Sequence, residues 1–293
     1  MRFSVIIPGY KSHKTILRCL TGLQAQVFQD FEAIFVDSSP DTGVKEIIEG
    51  NSVYQVIHLP KQTLSDIARN LAAEKARGEI LVFLDSDCVP REDWLLQADM
   101  AFRNGAKAIS GPVLCYGNQS LDMTAHLSKF WLWLPDEKKL DVDAAPTANF
   151  AVLKEVFQSI GALDPDLLAS SDTKFCYQMG DLGMKIAFIN GFAVDHIHDT
   201  TFNLLCRERF DRGKYFGVMR TQLKTWSRWK SFLFVTLIPF LPLKNFLWKW
   251  MTVSKSGYFY PFMTAFFAHL VLEHAWMYGQ FGVHVHNLFK KST

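Results

Sequence analysis

The chain has 293 residues, 49% of them hydrophobic and 14% aromatic, which is enough for one large domain with an appendage or for two small domains. The formal net charge is +2, but the segment from Arg212 to Thr293 holds eleven of the 31 basic residues and one of the 29 acidic residues. A basic, aromatic, acid-poor segment favours an anionic membrane surface as partner. Because the sequence has no zinc-finger, basic-zipper or RNA-binding signature, we expect no nucleic-acid partner.

The cysteines and the N-terminus indicate a cytoplasmic protein. The five cysteines are scattered and never spaced as CxxC: Cys19, Cys88, Cys115, Cys176 and Cys206. This pattern predicts reduced thiols, with neither a disulfide framework nor a thiolate metal site. The N-terminal run MRFSVIIPGYKS has the features of a strand, and we expect no signal peptide.

Predicted strands and helices alternate along the first part of the chain. FSVIIPGY predicts a strand, KTILRCLTGLQAQ a helix, FEAIFVDSSPDTG a strand, TLSDIARNLAAEKA a helix and EILVFLDSD a strand. Further strands and helices follow in AKAISGPVL, KEVFQSIGALDPDL, SSDTKFCYQMGDLGM and KIAFINGFAVDHIH. Because the strands are apolar on both faces, the pattern predicts an α/β fold with a mostly parallel sheet covered by helices on both faces.

Polar residues follow the predicted strands at the point where each strand ends. Tyr10 follows the first strand, Asp37 ends the second, and Asp85 and Asp87 follow the buried run ILVFL. Ligands of parallel sheets bind at the carboxyl ends of strands, so we expect a ligand site here. An Asp-x-Asp pair suits Mg²⁺ or Mn²⁺. The alternative is an acidic turn at the N-terminus of the next helix, and the short pattern by itself leaves this open.

The strand–helix alternation fades after about Arg212. Two apolar blocks follow, SFLFVTLIPFLPL and GYFYPFMTAFFAHLVLEHAWMYGQFG, bracketed by basic residues and tryptophans. The first is interrupted by prolines and is shorter than the ~20 apolar residues of a spanning helix, whereas the second is long enough but contains Glu273 and two histidines. We expect residues 226–282 to associate with the cytoplasmic side of a membrane, peripherally or by shallow insertion.

Five sequence blocks in this order resemble the family-2 glycosyltransferases with the GT-A fold, a Rossmann-like architecture. The blocks begin at VIIPGYKS, ARNLAAEKARGEILVFLDSDCVP, ANFAVLKEVFQSIGALDPDL, SDTKFCYQMGDLGMKIAF and VDHIH. The similarity covers about residues 3–215. It implies a catalytic domain over residues 1–225, with a nucleotide-sugar-binding half at 1–112 and an acceptor-binding half at 113–225. Residues 226–293 then form a hydrophobic, helical, membrane-associating segment.

The resemblance also implies an activity and its site residues. The activity is inverting transfer of a sugar from a nucleoside diphosphate, with Mg²⁺ or Mn²⁺. The nucleotide would be bound by Pro8, Tyr10, Asp37, Arg69, Asn70, Asp85 and Ser86. Tyr10 would stack on the base and Asp37 would accept from the base or ribose. Asp87 would be the principal metal ligand, with Asp85 and His196 as further ligands, and Asp172 would be the catalytic base.

The sequence departs from the family pattern in several places. The family's VDDGS is VDSSP here, so Ser38 replaces an acid, and the family's Glu-Asp pair is Ser171-Asp172. A uridine donor is expected but not dictated by these residues, and Asp172 could instead cap a helix. His198 competes with His196 for the ligand role, and either could be a structural histidine. Because the QxxRW motif of processive synthases is absent, we expect transfer of a single sugar.

Other enzyme classes and a non-enzymatic role are the alternatives to this interpretation. A nucleotidyltransferase would show a glycine-rich basic loop after the first strand, but PGYKSHK has only one glycine. A dehydrogenase would show GxGxxG there, and this motif is missing. A catalytically degenerate membrane scaffold is the non-enzymatic alternative, motivated by Ser38 and Ser171.

The C-terminal region contains a group of residues that lack metal-site spacing and are expected to be structural: His269, Glu273, His274, His284 and His286. A basic group could face a phosphate or form a solvated helix face: Arg207, Arg209, Arg212 and Lys214. The expected acceptor is a glycan, lipid-linked or other hydroxyl group of cell-surface polysaccharide or glycolipid assembly.

Overall fold

The computed structural model describes residues 1–49, 54–223 and 226–289. Contacts divide the chain into two compact units. The sheet unit comprises Met1–Tyr116, Trp133–Pro165 and Asp172–Ile197, and the helical unit comprises Gly117–Leu132, Asp166–Ser171 and His198–Thr293. The predicted boundaries after residues 112 and 225 stay predictions. Residues 224–225 and 290–293, on which the predicted domain limits partly fall, lie outside the described residues.

The sheet unit is built on an eight-stranded sheet in the order β3-β2-β1-β4-β9-β6-β10-β8. Its strands are β1 (Phe3–Gly9), β2 (Phe31–Asp37), β3 (Tyr54–His58), β4 (Ile80–Leu84), β6 (Ala108–Ser110), β8 (Asp141–Val142), β9 (Asn149–Leu153) and β10 (Ile186–Phe188). The first four strands are mutually parallel, whereas β9 is antiparallel to both β4 and β6. The predicted α/β fold with a mostly parallel sheet is confirmed.

A second, three-stranded sheet in the order β5-β11-β7 belongs to the same unit. Its strands are β5 (Cys88–Pro90), β7 (Val113–Cys115) and β11 (Val194–His196). The strand β11 is antiparallel to β5, which begins directly after Asp87, and parallel to β7. This small sheet therefore joins the end of the predicted Asp-x-Asp turn to the segment that carries His196.

The helices of the sheet unit cover a sheet whose central strands β1, β2, β4 and β9 are almost entirely buried. They are α1 (Ile16–Gln24), α2 (Gly43–Glu49), α3 (Ser65–Lys75), α4 (Trp94–Arg103), α6 (Lys154–Ile160) and α7 (Ser171–Asp181). Phe83 of β4 packs against Phe150 and Phe157, with ring centroids 6.1 and 5.3 Å away. Burial of each such side chain contributes about 2 kcal/mol to folding, which keeps the strand ends in fixed positions. The helix α6 ends where Gly161 takes the left-handed conformation, with φ of 103°.

The helical unit consists of α5 (Ser120–Phe130), α8 (Phe202–Leu223), α9 (Arg228–Leu237), α10 (Leu241–Val253), α11 (Phe259–Thr264) and α12 (Phe266–Phe289). The backbones of α8 and α12 approach closely at two glycines: a Cβ on Gly213 would lie 2.1 Å from the Trp276 carbonyl oxygen, and one on Gly279 would lie 2.0 Å from that of Phe210. The second apolar block of the sequence is divided between α11 and α12. None of the described helices has by itself the length and hydropathy of a membrane span; α9 and α10, bent by 80° relative to each other, meet that criterion only as a pair.

Candidate functional site

Asp37 is the buried acceptor at the carboxyl end of β2. Its side chain is 1% exposed, and Oδ1 accepts hydrogen bonds from the backbone N–H and the hydroxyl of Ser39, at 3.1 and 2.6 Å. Oδ2 lies 3.1 Å from Nδ1 of His58, at the end of the neighbouring strand β3. Ser38, which replaces the family's second acid, is buried and its N–H donates to the Gly9 carbonyl at 2.9 Å. The Asp37 carboxylate thereby links the ends of β2 and β3, and the backbone of Ser38 links the end of β2 to that of β1.

Asp85 is neutralised by a buried arginine. Nη2 of Arg69 donates to Oδ1 of Asp85, and Nη1 donates to Oδ1 of Asp66 at 2.7 Å. Arg69 and Asp66 are only 5% and 8% exposed. Burial alone would lower the pKa of Arg69, but the carboxylates of Asp85 and Asp66 outweigh it and raise that pKa. Burial raises the pKa of Asp66. The guanidinium of Arg69 thus bonds both carboxylates, and its positive charge partly offsets the negative charge of Asp85.

Asp87 lies beside His196 and remains partly open to solvent. Oδ1 of Asp87 is 3.5 Å from Nε2 of His196, and the backbone oxygen of Asp87 accepts from the N–H of Ile197 at 2.8 Å. The Asp87 side chain is 39% exposed, whereas that of His196 is 9% exposed. The backbone bond holds the two side chains in register across β5 and β11. The structure therefore brings together two residues that the sequence assigned to a metal site.

These residues fit the divalent cation that the family resemblance implies. The ligand atoms of Asp87, Cys88 and His196 all lie within 4.8 Å of one another. Burial, together with the charges of Asp87 and Asp85, raises the pKa of the Cys88 thiol well above its usual value. Cys88 is therefore a neutral thiol at neutral pH, and the available donors are a carboxylate oxygen and an imidazole nitrogen. That donor set suits Mn²⁺ or Mg²⁺ completed by water and phosphate oxygens.

Asp172 occupies the first turn of α7. Its Oδ1 accepts from the backbone N–H of Thr173 at 2.7 Å and from the Thr173 hydroxyl at 3.3 Å. The negative charge of Asp172 contributes to the raised pKa of Asp66, so Asp172 interacts electrostatically with the ion pair of Asp66 and Arg69. An acid here suits the helix N-terminus, and the half-buried carboxylate is also a candidate general base.

The remaining predicted nucleotide-binding residues differ in accessibility. Tyr10 is 40% exposed, as a ring that stacks on a base requires, whereas Pro8 is buried within β1 opposite Val36. Ser86 is half-buried between the two aspartates. Both polar atoms of the Asn70 amide bond the backbone of Leu163, at 2.7 and 3.1 Å. In this structure, Asn70 therefore connects α3 to the segment after α6, and its contact with a nucleotide stays a prediction.

Sequence reasoning missed two residues of this site. Asp66 lies three residues before Arg69, and this helical spacing could have revealed the ion pair. His58 pairs in register with Asp37 at the ends of parallel strands, which a strand alignment could have found. The competing histidine, His198, belongs to the helical unit, where its Nε2 lies 3.4 Å from Nδ1 of His126.

Glu273, His269 and His284 are buried in the helical unit, whereas His274 and His286 are exposed. Nζ of Lys249 donates to Oε1 of Glu273 at 2.5 Å, and both side chains are buried. His269 is fully buried against the ring of Phe262, at a centroid distance of 4.5 Å. Burial lowers the pKa of His269 to about 3. Nδ1 of His284 lies 3.3 Å from the Ser231 hydroxyl. In the basic group, Arg209 is buried beside Trp276, so it is not part of a solvated face.

Comparison with protein families and curated sequences identifies relatives of this chain. The family described as glycosyl transferase family 2 matches residues 4–160, more than half of the chain. The glycosyltransferase AglE of Haloferax volcanii is 26% identical over 225 residues, which cover 72% of this chain and 71% of AglE. The putative glycosyltransferase EpsH of Bacillus subtilis is 34% identical over 97 residues, 31% of this chain and 26% of EpsH.

Solved structures share the fold at low sequence identity. The mannosyltransferase PcManGT from Pyrobaculum calidifontis, in complex with GDP-Man and Mn²⁺, superposes with a TM-score of 0.63 at 17% identity, over 99% of this chain and 88% of that one. Residues 1–349 of TarS from Staphylococcus aureus, in complex with UDP-GlcNAc, give a TM-score of 0.58 at 19% identity, over 75% of this chain and 66% of that one. The chain thus spans just under two thirds of that TarS fragment. Both similarities support the GT-A fold predicted from the sequence.

Proposed function

The chain belongs to glycosyl transferase family 2 and is a glycosyltransferase, and we propose that it moves a single sugar from a nucleoside-diphosphate sugar to a hydroxyl acceptor with inversion at the anomeric carbon. The observation that carries this proposal is the set of carboxylates at the carboxyl ends of the strands. Asp37 is buried beside His58, Asp85 is neutralised by Arg69, and Asp87 is left beside His196. Each carboxylate has a different electrostatic environment, which suits three different roles.

The nucleotide would bind at the ends of β1 and β2. Asp37 is held rigidly by Ser39 and His58, so it can accept a hydrogen bond from a base or ribose without reorganisation. The exposed ring of Tyr10 is available to stack on the base. We propose a UDP-linked sugar, as in the TarS complex, and the GDP-Man complex of PcManGT makes guanosine the donor to compare with it.

Asp87 and His196 would hold Mn²⁺ or Mg²⁺ together with the donor diphosphate. The bound cation would neutralise the negative charge that develops on the leaving diphosphate. The Mn²⁺ in the PcManGT complex, together with the donor set of this chain, supports that assignment. Asp85 would act mainly toward the ribose and contribute to the cation as a further ligand. The positive charge of Arg69 offsets the negative charge of Asp85, and this limits the repulsion between Asp85 and Asp87.

Asp172 would accept the proton of the acceptor hydroxyl. The acceptor oxygen forms a bond to the anomeric carbon while the bond from that carbon to the phosphate oxygen breaks. The hydroxyl proton passes to the Asp172 carboxylate, and the nucleoside diphosphate leaves with the bonding electron pair. Attack on the face opposite the leaving group gives inversion. The hydrogen bonds from Thr173 orient the carboxylate and leave Oδ2 as the oxygen for proton transfer.

The acceptor would be a glycan or lipid-linked hydroxyl in cell-surface polysaccharide or glycolipid assembly. One relative supports a polymer acceptor: the poly(ribitol-phosphate) β-N-acetylglucosaminyltransferase TarS is 34% identical over 95 residues, 30% of this chain and 16% of TarS.

A donor screen with the full chain tests the proposal. UDP- and GDP-sugars are incubated with the protein and Mn²⁺, and release of nucleoside diphosphate is measured with and without hydroxyl acceptors. We expect turnover with one donor class, which Asp87→Ala and Asp172→Asn reduce. Full activity of Asp87→Ala would contradict the cation site. If calorimetry detects binding of no donor, the scaffold interpretation replaces the transferase.

A further inference from the structure

The helices α9 and α10 have an apolar outer face in addition to their buried inner face. On the inner side, Phe234, Phe246 and Val253 are buried within the helical unit. Several other large apolar side chains of α9, α10 and the turn between them are exposed. Six of these, between 41% and 68% exposed, we call the apolar outer face: Trp229, Leu237, Phe240, Leu243, Leu247 and Met251. Leu243, Leu247 and Met251 repeat every four residues along α10, so they lie on one side of that helix.

A face of this kind is costly to leave in water. Burial of a large apolar side chain is worth about 2 kcal/mol relative to exposure. A helix that is apolar on all sides is normally buried on all sides, and contiguous exposed apolar patches usually mark interaction sites. The buried inner face of α9 and α10 already supplies the apolar contacts with the rest of the helical unit. The outer face therefore requires a separate partner.

The exposed charges on α9, α10 and the rest of the described chain from Arg212 onward have a single sign. Arg228, Lys230, Lys244 and Lys255 are exposed on or next to α9 and α10. Glu273, the one acidic residue after Arg212, is 2% exposed and paired with Lys249. Every exposed charged side chain from Arg212 onward, among the residues that the structure describes, is therefore basic. Anionic headgroups complement such a rim, whereas a second copy of this chain would bring a rim of the same charge against it.

We propose that the apolar outer face inserts into the interfacial layer of an anionic lipid bilayer. Trp229 and Phe240 would lie among the upper acyl chains, with Lys230 and Lys244 at the headgroups. This combination of aromatic and aliphatic residues with flanking lysines is the pattern of helices that lie in the membrane interface. The surface is independent of the transferase chemistry, because its partner is recognised by apolar contact and charge.

Vesicle co-sedimentation of the full chain tests this proposal without any activity measurement. Vesicles of phosphatidylcholine are compared with vesicles that also contain phosphatidylglycerol. We expect clear binding to the anionic vesicles and weaker binding to the neutral ones. The double change Lys230→Glu/Lys244→Glu should weaken binding to anionic vesicles by about tenfold or more. The double change Phe240→Ser/Leu243→Ser should weaken binding to both kinds.

The matched control is Leu140→Ser/Leu182→Ser, which removes two exposed leucines of the sheet unit, 79% and 64% exposed, and should leave vesicle binding unchanged. Circular dichroism checks that all variants keep their helix content. The proposal is overturned if the unaltered chain binds neither kind of vesicle. It is equally overturned if Lys230→Glu/Lys244→Glu and Phe240→Ser/Leu243→Ser both bind vesicles as well as the unaltered chain does. A third outcome also overturns it: light scattering shows that the chain is a dimer, Phe240→Ser/Leu243→Ser dissociates this dimer, and the unaltered chain does not bind vesicles.

Discussion

Nε2 of His196 lies 3.5 Å from Oδ1 of Asp87, although more than 100 residues separate the two in the sequence. The antiparallel pairing of β11 with β5 creates this contact, because it sets His196 opposite Cys88, the residue that follows Asp87. The contact joins an imidazole to the aspartate that we assign to the cation.

Loss of either donor should weaken cation binding. We expect His196→Gln to raise the Mn²⁺ concentration that gives half-maximal activity by about 10- to 100-fold, the usual effect of disturbing a metal site. Asp87→Asn should raise it at least as much. Titration of activity with Mn²⁺ measures the change. His13→Gln is the control, since His13 is an exposed histidine of the same unit that pairs with Asp41. An unchanged Mn²⁺ requirement in His196→Gln would remove His196 from the site.

Asp172→Asn should separate catalysis from helix capping. Asparagine accepts hydrogen bonds at a helix N-terminus about as well as aspartate, so the melting temperature should change little. Loss of the base should lower kcat by about 10²- to 10⁴-fold with donor affinity retained. Steady-state kinetics, donor calorimetry and thermal melting together check this. A melting temperature that falls while kcat is kept would identify Asp172 as a structural residue.

Arg69→Met should destabilise the sheet unit strongly, because it leaves the buried carboxylate of Asp66 and the partly buried one of Asp85 without their cation. Removing one partner of a buried ion pair costs about 3–5 kcal/mol. Denaturant unfolding measures the free energy. In the control Arg103→Met, the lost arginine is 71% exposed and pairs with Asp99, so we expect a cost below about 1 kcal/mol. Equal costs in the two variants would contradict the importance of the buried pairing.

His269 should make the stability of the folded chain depend on pH. Burial, together with Lys249 and Arg209, lowers its pKa to about 3 and outweighs the opposite effect of Glu273. The unfolded chain therefore binds a proton below about pH 6.5 that the folded chain does not bind until about pH 3. The free energy of unfolding should therefore decrease as the pH is lowered through this window, by at most about 1.4 kcal/mol per pH unit.

The variant His269→Phe should have a smaller slope of stability against pH between pH 6.5 and 4, measured by urea unfolding at several pH values. His274 is an exposed histidine of the same helix, and His274→Gln should leave the slope unchanged. A slope that is the same in His269→Phe and in the unaltered chain would contradict the neutral state of His269.

The sequence by itself determined the α/β fold and predicted where in it a ligand site would lie. Strands such as ILVFL are apolar along their whole length, and this local property predicts burial in a parallel sheet without knowledge of the partners. Because parallel strands end at one edge, Asp37, Asp85 and Asp87 could be assigned to a common site from their positions alone.

Only the tertiary structure decided which side chains contact one another. Residues 196 and 198 share the period of two of an extended strand, so the sequence could not distinguish the two histidines; β11 ends at His196, opposite β5. The buried pairs of Arg69 with Asp85 and of Lys249 with Glu273 join residues from different elements. Their geometry depends on how those elements pack, and local sequence patterns do not encode it. The exposed side of α9 and α10 was likewise decided by packing, because both faces of these helices are apolar in sequence.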